Sequence, residues 1–264
     1  MTVAYQAPTV KKAFSILQAI AKSDNGLGIS RLSQTLNISK STVHGVVGAL
    51  EAVGAVNRDP TTKRFSLGLT LFELGRSVYA QLDLKEVARP VLEALMDHTG
   101  ESVFLGIRNG NHVTILDLVQ PSRDLKITAS VGMTIPLLAG AIGKVLLAAA
   151  GMEKAEVVIR SNVLPKFTDR SITDPDSYLD AVRKTKQMGY GLDDEEYLTG
   201  VRATAAAIKN HDHTSPAAIW VVGFKSGIDR LKLKKLAVET RQAAEMISRR
   251  LSHPEQSAIG GLTG

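Results

Sequence analysis

The segment GAIGK, residues 140–144, has the glycine and lysine content of a loop that could bind a phosphate group. A Walker-type loop needs a further glycine five residues before its Gly-Lys pair and a Ser or Thr directly after it. Leu138 and Val145 stand at these two positions, so the sequence argues against nucleotide hydrolysis. The loop still predicts backbone N–H groups at the start of a helix. Such a start suits an anion, for instance the carboxylate of a small metabolite.

Two other clusters have side chains that could do chemistry. Paired carboxylates such as those in the run Asp193 to Glu196 can exchange protons, and His211 and His213 have His-x-His spacing that could bind a metal. No histidine or nucleophile lies near the acidic run in sequence, which favours a solvated turn before a strand. The two histidines flank Asp212 in a polar loop, which favours solvated turn residues. We therefore predict no catalytic residue, no metal site and no cofactor.

A further set of side chains, short or basic and rich in hydrogen-bond donors, suits contact with the bases and phosphates of nucleic acid. Five of them lie at the start of a predicted helix, and two lie at the return of a predicted two-stranded ribbon. These candidate DNA contacts are Ser39, Lys40, Ser41, Thr42, His44, Lys63 and Arg64. Net charge points the same way, because residues 1–85 hold ten basic and five acidic residues, whereas the rest of the chain holds 22 and 21.

The elements that would position these side chains are short. Apolar residues recur at helical spacing over residues 9–23, and Ser30 and Ser39 can each cap a further helix. The join at residues 36–39 has the length typical of a helix-turn-helix, whose second helix reaches base edges. Strands at 56–58 and 64–67 would add the ribbon, or wing. Because similar helix pairs also occur in protein–protein modules and enzyme accessory domains, the pattern alone leaves these alternatives open.

Composition limits the remaining classes of protein. The 264 residues are 44% hydrophobic and 22% charged, as in an ordinary globular protein. The absence of cysteine excludes disulfides, thiolate zinc sites and cysteine nucleophiles, and it suits a reducing cytoplasm. The longest apolar run, residues 135–150, is interrupted by proline, glycine and lysine and is too short to span a bilayer. We therefore expect a cytoplasmic protein that has neither a membrane segment nor a signal peptide.

Beyond the wing, the pattern mixes helices with hairpins. Residues 67–81 can form a helix with a large apolar side, which predicts either a dimerising linker or packing against its own domain. Asn109, Gly110 and Asn111 predict the turn of a hairpin, and residues 203–209 and 217–224 predict two adjacent strands. These features predict an α+β fold with an antiparallel sheet.

The chain resembles IclR-type bacterial transcriptional regulators over nearly its whole length. The motifs SKSTVH and KRFSLG stand near the N-terminus, and HTGESVFLGI, GAIGKVLLA and GYGLDDEEYLTGVRATAAAI follow in the order of that family. The resemblance implies a winged helix-turn-helix, a linker helix and an effector-binding domain related to the GAF/profilin-like fold. It also implies a dimer or dimer of dimers on a palindromic operator. One departure is Gly45, where the family commonly has arginine.

By the same resemblance, the family's effector pocket maps to one glycine-rich loop, two neighbouring strands and one residue of the acidic run. The corresponding residues are Ala139, Gly140, Ala141, Asp193, Ala203, Trp220 and Val222. Because the strand positions that are often polar in the family are apolar here, we expect a small organic acid with an apolar or aromatic body. Its carboxylate would lie near Gly140 and Ala141 and its body against Trp220. The alternative is that Trp220 fills the cavity and closes it.

Together these observations predict a ligand-responsive DNA-binding regulator and not an enzyme. The predicted ranges are 1–68 for the winged helix-turn-helix, 69–85 for the linker helix, 86–252 for the effector-binding domain and 253–264 for a flexible tail. Two alternatives stay open. One is a constitutive DNA-binding protein whose C-terminal domain only forms oligomers, and the other is a small enzyme with an appended helix-turn-helix.

Overall fold

A computed structural model describes residues 7–80, 83–209 and 216–252. The chain divides into two compact units, residues 1–82 and residues 83–264. His211 and His213, which were predicted to be solvated turn residues, and the predicted tail at 253–264 lie outside the described residues. The predicted domain limits at residues 68 and 85 stay a prediction.

The first unit consists of short helices followed by a two-stranded ribbon and a last helix. Its elements are α1 (Pro8–Ala21), α2 (Ile29–Leu36), α3 (Lys40–Ala52), β1 (Val56–Arg58), β2 (Phe65–Leu67) and α4 (Leu69–Ala80). The small core is formed by one face of each of the first three helices and by the first residues of both strands: Ile16, Ile20, Leu32, Val43, Val46, Val47, Val56 and Phe65. This arrangement confirms the predicted winged helix-turn-helix.

The second helix begins one residue before the predicted cap. Gly28, in extended conformation, stands in the capping position, and no side chain caps α2. Asn37 adopts a left-handed conformation, with φ of 52°, and ends α2 where the turn was predicted. The wing is bound to the residues just before α2, because Phe65 of β2 and Leu27 exchange two backbone hydrogen bonds of 2.9 and 3.1 Å.

The second unit is built on a six-stranded sheet in which every neighbouring pair is antiparallel, in the order β5-β4-β3-β8-β7-β6. Its strands are β3 (Ser102–Asn109), β4 (His112–Val119), β5 (Thr134–Pro136), β6 (Gly191–Asp194), β7 (Val201–Ile208) and β8 (Ala217–Phe224). Its helices are α5 (Asp83–Thr99), α6 (Gly140–Ala150), α7 (Met152–Arg160), α8 (Pro175–Met188) and α9 (Arg230–Ser252). The predicted α+β fold with an antiparallel sheet is confirmed.

Helices cover the central strands. Helix α6 packs on β6, β7 and β8 and also contacts α7 and α8, whereas α5 and α9 pack on each other and on β3 and β7. Strand β8 is therefore buried at every residue but its last, which explains its continuous apolar sequence. Among the described helices, none has the length and apolar content needed to cross a membrane.

Strand β6 overturns one prediction made from the sequence. The acidic run was expected to be a solvated turn before a strand, but Asp193 and Asp194 belong to β6, and Asp193 stands opposite Ala203 of β7. Asp193 and Glu195 are both buried. The expectation was wrong because the charge of the run gave no sign of the strand pairing that buries it.

Candidate functional site

The predicted DNA-contacting residues of the helix-turn-helix lie at the start of α3. Ser39 is the N-cap, and its Oγ accepts a hydrogen bond of 3.3 Å from the backbone N–H of Thr42. The same Oγ lies 2.8 Å from Oγ1 of Thr42 and 3.1 Å from Oγ of Ser41. These hydroxyl groups therefore fix the first turn of α3 and leave exposed donors and acceptors at its end.

The two faces of α3 differ in chemistry. Val43, Val46 and Val47 are buried, whereas Lys40 and His44 are exposed. The core therefore holds α3 by its buried face and leaves its polar face uncovered. A helix needs such an uncovered face to enter the major groove.

The wing carries the other two predicted contacts. Oδ1 of Asp59 accepts hydrogen bonds from the backbone N–H groups of Thr62 and Thr61, at 2.6 and 2.8 Å, and these bonds hold the pKa of Asp59 below its usual value. Lys63 follows with a φ of 58°, and both Lys63 and Arg64 are exposed. A guanidinium nitrogen of Arg64 donates to the carbonyl oxygen of Asn25 at 3.4 Å.

Two more arginines of this unit were not predicted as contacts. Arg58 is exposed on β1, and its guanidinium carbon lies 5.7 Å from the ring centroid of Phe65. Arg31 is exposed on α2. Arg58 could have been found from its charge and its place in the predicted wing strand at 56–58.

The second unit contains a cavity of about 240 Å³. It lies against α6 and the strands β3, β6, β7 and β8, and an irregular segment between β4 and β5 forms another wall. Six of the seven predicted pocket residues line it: Ala139, Ala141, Asp193, Ala203, Trp220 and Val222. The seventh, Gly140, is absent from the wall but directly adjoins Asp193.

Trp220 forms one wall of this cavity. Its ring stacks on Phe104 with a centroid distance of 5.3 Å and an interplanar angle of 8°. Gly106 lies behind the Trp220 ring, where a Cβ atom would come within 2.9 Å of it. The tryptophan is thus held flat against the sheet, and it leaves the space beside it unfilled, which argues against the alternative that Trp220 closes the cavity.

Asp193 is the carboxylate among the described residues that line the cavity, and it is only 6% exposed. Its Oδ1 accepts a 2.6 Å hydrogen bond from the backbone N–H of Glu196. Its Oδ2 lies beside Gly140, the first residue of α6, so closely that a methyl group at Gly140 would overlap it. Burial raises the pKa of Asp193 to about 6, and the Glu196 carboxylate adds to the shift, while the Lys144 ammonium partly opposes it.

The neighbours of Asp193 form a buried polar cluster. The ammonium of Lys144 donates to Oε1 of Glu196 at 2.5 Å and to the carbonyl oxygen of Leu192 at 2.7 Å. The hydroxyl group of Tyr178 is buried and has no hydrogen-bond partner in the described part of the chain. Burial raises the pKa of this phenol far above its usual value.

The rest of the acidic run is held in ion pairs. Asp194 accepts from Arg202 at 2.5 Å and from Arg170 at 3.1 Å. Glu195 accepts from Lys225 at 2.5 Å and from the backbone N–H of residue 200 at 3.0 Å. These pairs give both carboxylates a structural role. Within residues 7–80, 83–209 and 216–252, no group of three or more acidic or histidine residues is placed to hold a metal ion.

Comparison with known proteins identifies both units. Residues 9–60 match the IclR helix-turn-helix domain, and residues 76–249 match the C-terminal domain of the bacterial transcriptional regulator IclR. The regulator XynR of Escherichia coli K12 is 28% identical over 93% of this chain and 98% of its own length. The regulator BhcR of Paracoccus denitrificans is 33% identical over 90% of this chain and 85% of its own.

A solved structure shares the fold. An IclR homologue from Microbacterium hydrocarbonoxydans, crystallised in complex with 4-hydroxybenzoate, superposes with a TM-score of 0.75. The two chains are 23% identical, and the match covers 92% of this chain and 99% of the other.

Proposed function

The chain belongs to the IclR family of bacterial transcriptional regulators, and from this premise we propose that it is a ligand-responsive regulator that binds a palindromic operator as a dimer or dimer of dimers. The observation that carries the proposal is the pairing of an uncovered polar recognition helix with a second unit that holds a largely apolar cavity. We propose a small organic acid as the effector of that cavity.

The proposed DNA contacts are supported by exposure and charge. The first turns of α3 and the tip of the wing present the cations Lys40, Lys63 and Arg64, while the buried valines of α3 keep its position fixed. Cations at these places would neutralise phosphates, and the short hydroxyl side chains between them would reach base edges. A net charge of +5 over residues 1–85 supports the same role.

The proposed oligomer is supported by the apolar surface of α4. Leu69, Phe72 and Leu74 expose 67%, 65% and 60% of their areas. Large apolar side chains that are exposed on one short helix indicate a surface that another molecule covers. A second copy of this chain would cover it with the same helix and would bring two recognition helices to two half-sites.

The proposed effector is supported by the size and lining of the cavity. A void of roughly 150 Å³ is enough to bind benzene in an engineered protein, so a 240 Å³ cavity has room for a small ring and one polar group. The stacked pair Phe104 and Trp220 offers an aromatic wall to such a body. The acid bound by the Microbacterium homologue is of this size and class.

The test of the proposal is footprinting on the DNA that flanks the chain's own gene, with salt concentration varied and carboxylic acids added. We expect a protected palindrome whose occupancy changes with at least one acid.

Lys40→Ala and Lys63→Ala should each weaken binding and lower the salt slope by about one unit, because each removes one phosphate contact. Lys154→Ala, at an exposed position of α7 in the second unit, is the matched control. Unchanged binding in both variants would remove these lysines from the interface.

A further inference from the structure

We propose that the cavity binds its acid together with one proton, which the ligand's carboxyl group and Asp193 share. The inference rests on the proposed function, because it concerns how the same cavity would recognise an acidic effector. It assigns to Asp193 a role in specificity: this side chain would select weak acids that can be bound in a singly protonated carboxyl pair and would reject permanently ionised anions.

At the first residues of α6, the carboxylate of Asp193 and the carboxylate of a bound acid would lie close together. The first N–H groups of a helix lack partners within it, and a ligand carboxylate is expected to seek them at Gly140 and Ala141. The carboxylate of Asp193 already lies there, with Oδ2 beside Gly140. Two carboxylates in one buried place cannot both stay ionised, so one of them must carry a proton.

No cation is placed to remove that conflict. The described residues that line the cavity include no Lys, Arg or His. From α6, Lys144 faces Asp193, but its ammonium is bound by Glu196 and by the Leu192 carbonyl. From α8 Asp193 faces the phenol of Tyr178, and from the following loop it faces the carboxylate of Glu196. The residue opposite Asp193 on β7 is the uncharged Ala203.

The ionisation of Asp193 before a ligand binds sets the sign of the pH dependence. With a pKa of about 6, Asp193 is protonated below that pH and ionised above it. A bound acid keeps one proton in the pair, so above pH 6 its binding must take up a proton from water and its affinity should fall by about tenfold per pH unit. The amide of the same acid donates a hydrogen bond to the ionised Asp193, so its affinity should rise towards pH 6 and then stay constant.

The experiment uses three pairs of probes of matched shape: benzoate and benzamide, phenylacetate and phenylacetamide, 3-methylbutanoate and 3-methylbutanamide. Binding to the full-length protein is followed between pH 5 and 8 by the fluorescence of Trp220, the single tryptophan of the chain. Calorimetry at pH 7 in two buffers of different ionisation enthalpy counts the protons. We expect opposite pH profiles within a pair and an uptake of about one proton for the acid alone.

Two variants sharpen the test. Asp193→Asn should bind the acid with no pH dependence and no proton uptake, because the amide of the side chain donates to an ionised ligand. Glu196→Gln removes the carboxylate that raises the pKa of Asp193, so the affinity for the acid should begin to fall at a lower pH. This second variant decides the matter if the first one does not fold.

The outcomes separate the two proposals. If an acid binds with a flat pH profile, or more tightly as the pH rises, the shared proton is refuted while the effector cavity stands. If no probe binds the folded protein at any pH, the acid-effector part of the proposed function is refuted, and this inference is refuted with it.

Discussion

Gly45 leaves the exposed face of α3 without a side chain next to His44. An added Cβ there would meet no atom within 4 Å, so the position has room for a long side chain. The motif that this chain resembles commonly has arginine at this place. Glycine inside a helix also costs about 0.5–1 kcal/mol relative to alanine. The proposed recognition helix therefore lacks a side chain that could contact phosphate at this position, and it loses some intrinsic stability there.

Gly45→Arg should bind operator DNA more tightly and steepen the salt dependence by about one counterion, because it adds a cation on the exposed face. Gly45→Ala is the matched control, since it raises helix propensity without adding charge. Fluorescence anisotropy of labelled operator DNA at several salt concentrations measures both variants. Equal salt slopes for the two variants would place position 45 outside the interface.

Asp193 shows which properties of a single residue the sequence could predict. Its identity as a pocket residue was predicted from a family motif, and the structure does place it on the cavity wall. Its burial, which is the main cause of its raised pKa, could not be predicted, because it comes from packing against residues far along the chain such as Gly140 and Ala203. A run of four acidic residues carries no signal for partners of this kind.

Elements with a clear period could be predicted almost to the residue. The strand at 217–224 stands where the sequence placed it, and the predicted wing strands differ by one residue. Strands β5 and β6 could not be predicted, because they have three and four residues and form only through pairing with β4 and β7. A polar strand as short as β6 has too few positions for an alternating pattern to be recognised.

The segment between β4 and β5, residues 120–133, is an element of another kind. It has no regular structure, yet it supplies Ile127, Thr128, Ala129 and Met133 to the cavity wall. Its far end is held where residues 132 and 133 exchange backbone hydrogen bonds with Ile115. Its near end is held by an ion pair with one carboxylate.

That carboxylate is Glu101, which is buried and accepts hydrogen bonds from Arg123 of the segment and from Lys232 of α9. Glu101→Gln should increase the amide hydrogen exchange of residues 120–133 several-fold, because the neutral amide holds the two cations less strongly. Glu93→Gln, which breaks an exposed pair with Arg89, is the control and should leave this exchange unchanged. Equal exchange in the wild type and in both variants would show that Glu101 does not anchor the segment.

At the scale of the whole molecule, the excess positive charge and the cavity belong to different units. The positive excess lies in residues 1–85, whereas residues 86–264 carry a net charge of only +1. The cavity lies in the second unit, and the exposed apolar residues of α4 lie in the first. A ligand can change DNA binding in such a protein only if it binds differently to two arrangements of its DNA-binding units, or heads. The proposed dimer would have two heads to arrange.

Phe72→Ser should shift the protein towards monomer in sedimentation equilibrium, because it removes a 65% exposed aromatic side chain from the surface proposed to pair with a second copy. Operator affinity should fall in parallel, by about tenfold or more, since each monomer would then bind one half-site without the gain from linkage. Val163→Ser is the matched control, because Val163 is 94% exposed in the second unit and its loss should alter neither measurement. A Phe72→Ser protein that stays fully dimeric and keeps its operator affinity would show that α4 is not the pairing surface. A protein that becomes monomeric and still binds the palindrome at full strength would refute cooperative binding by two heads.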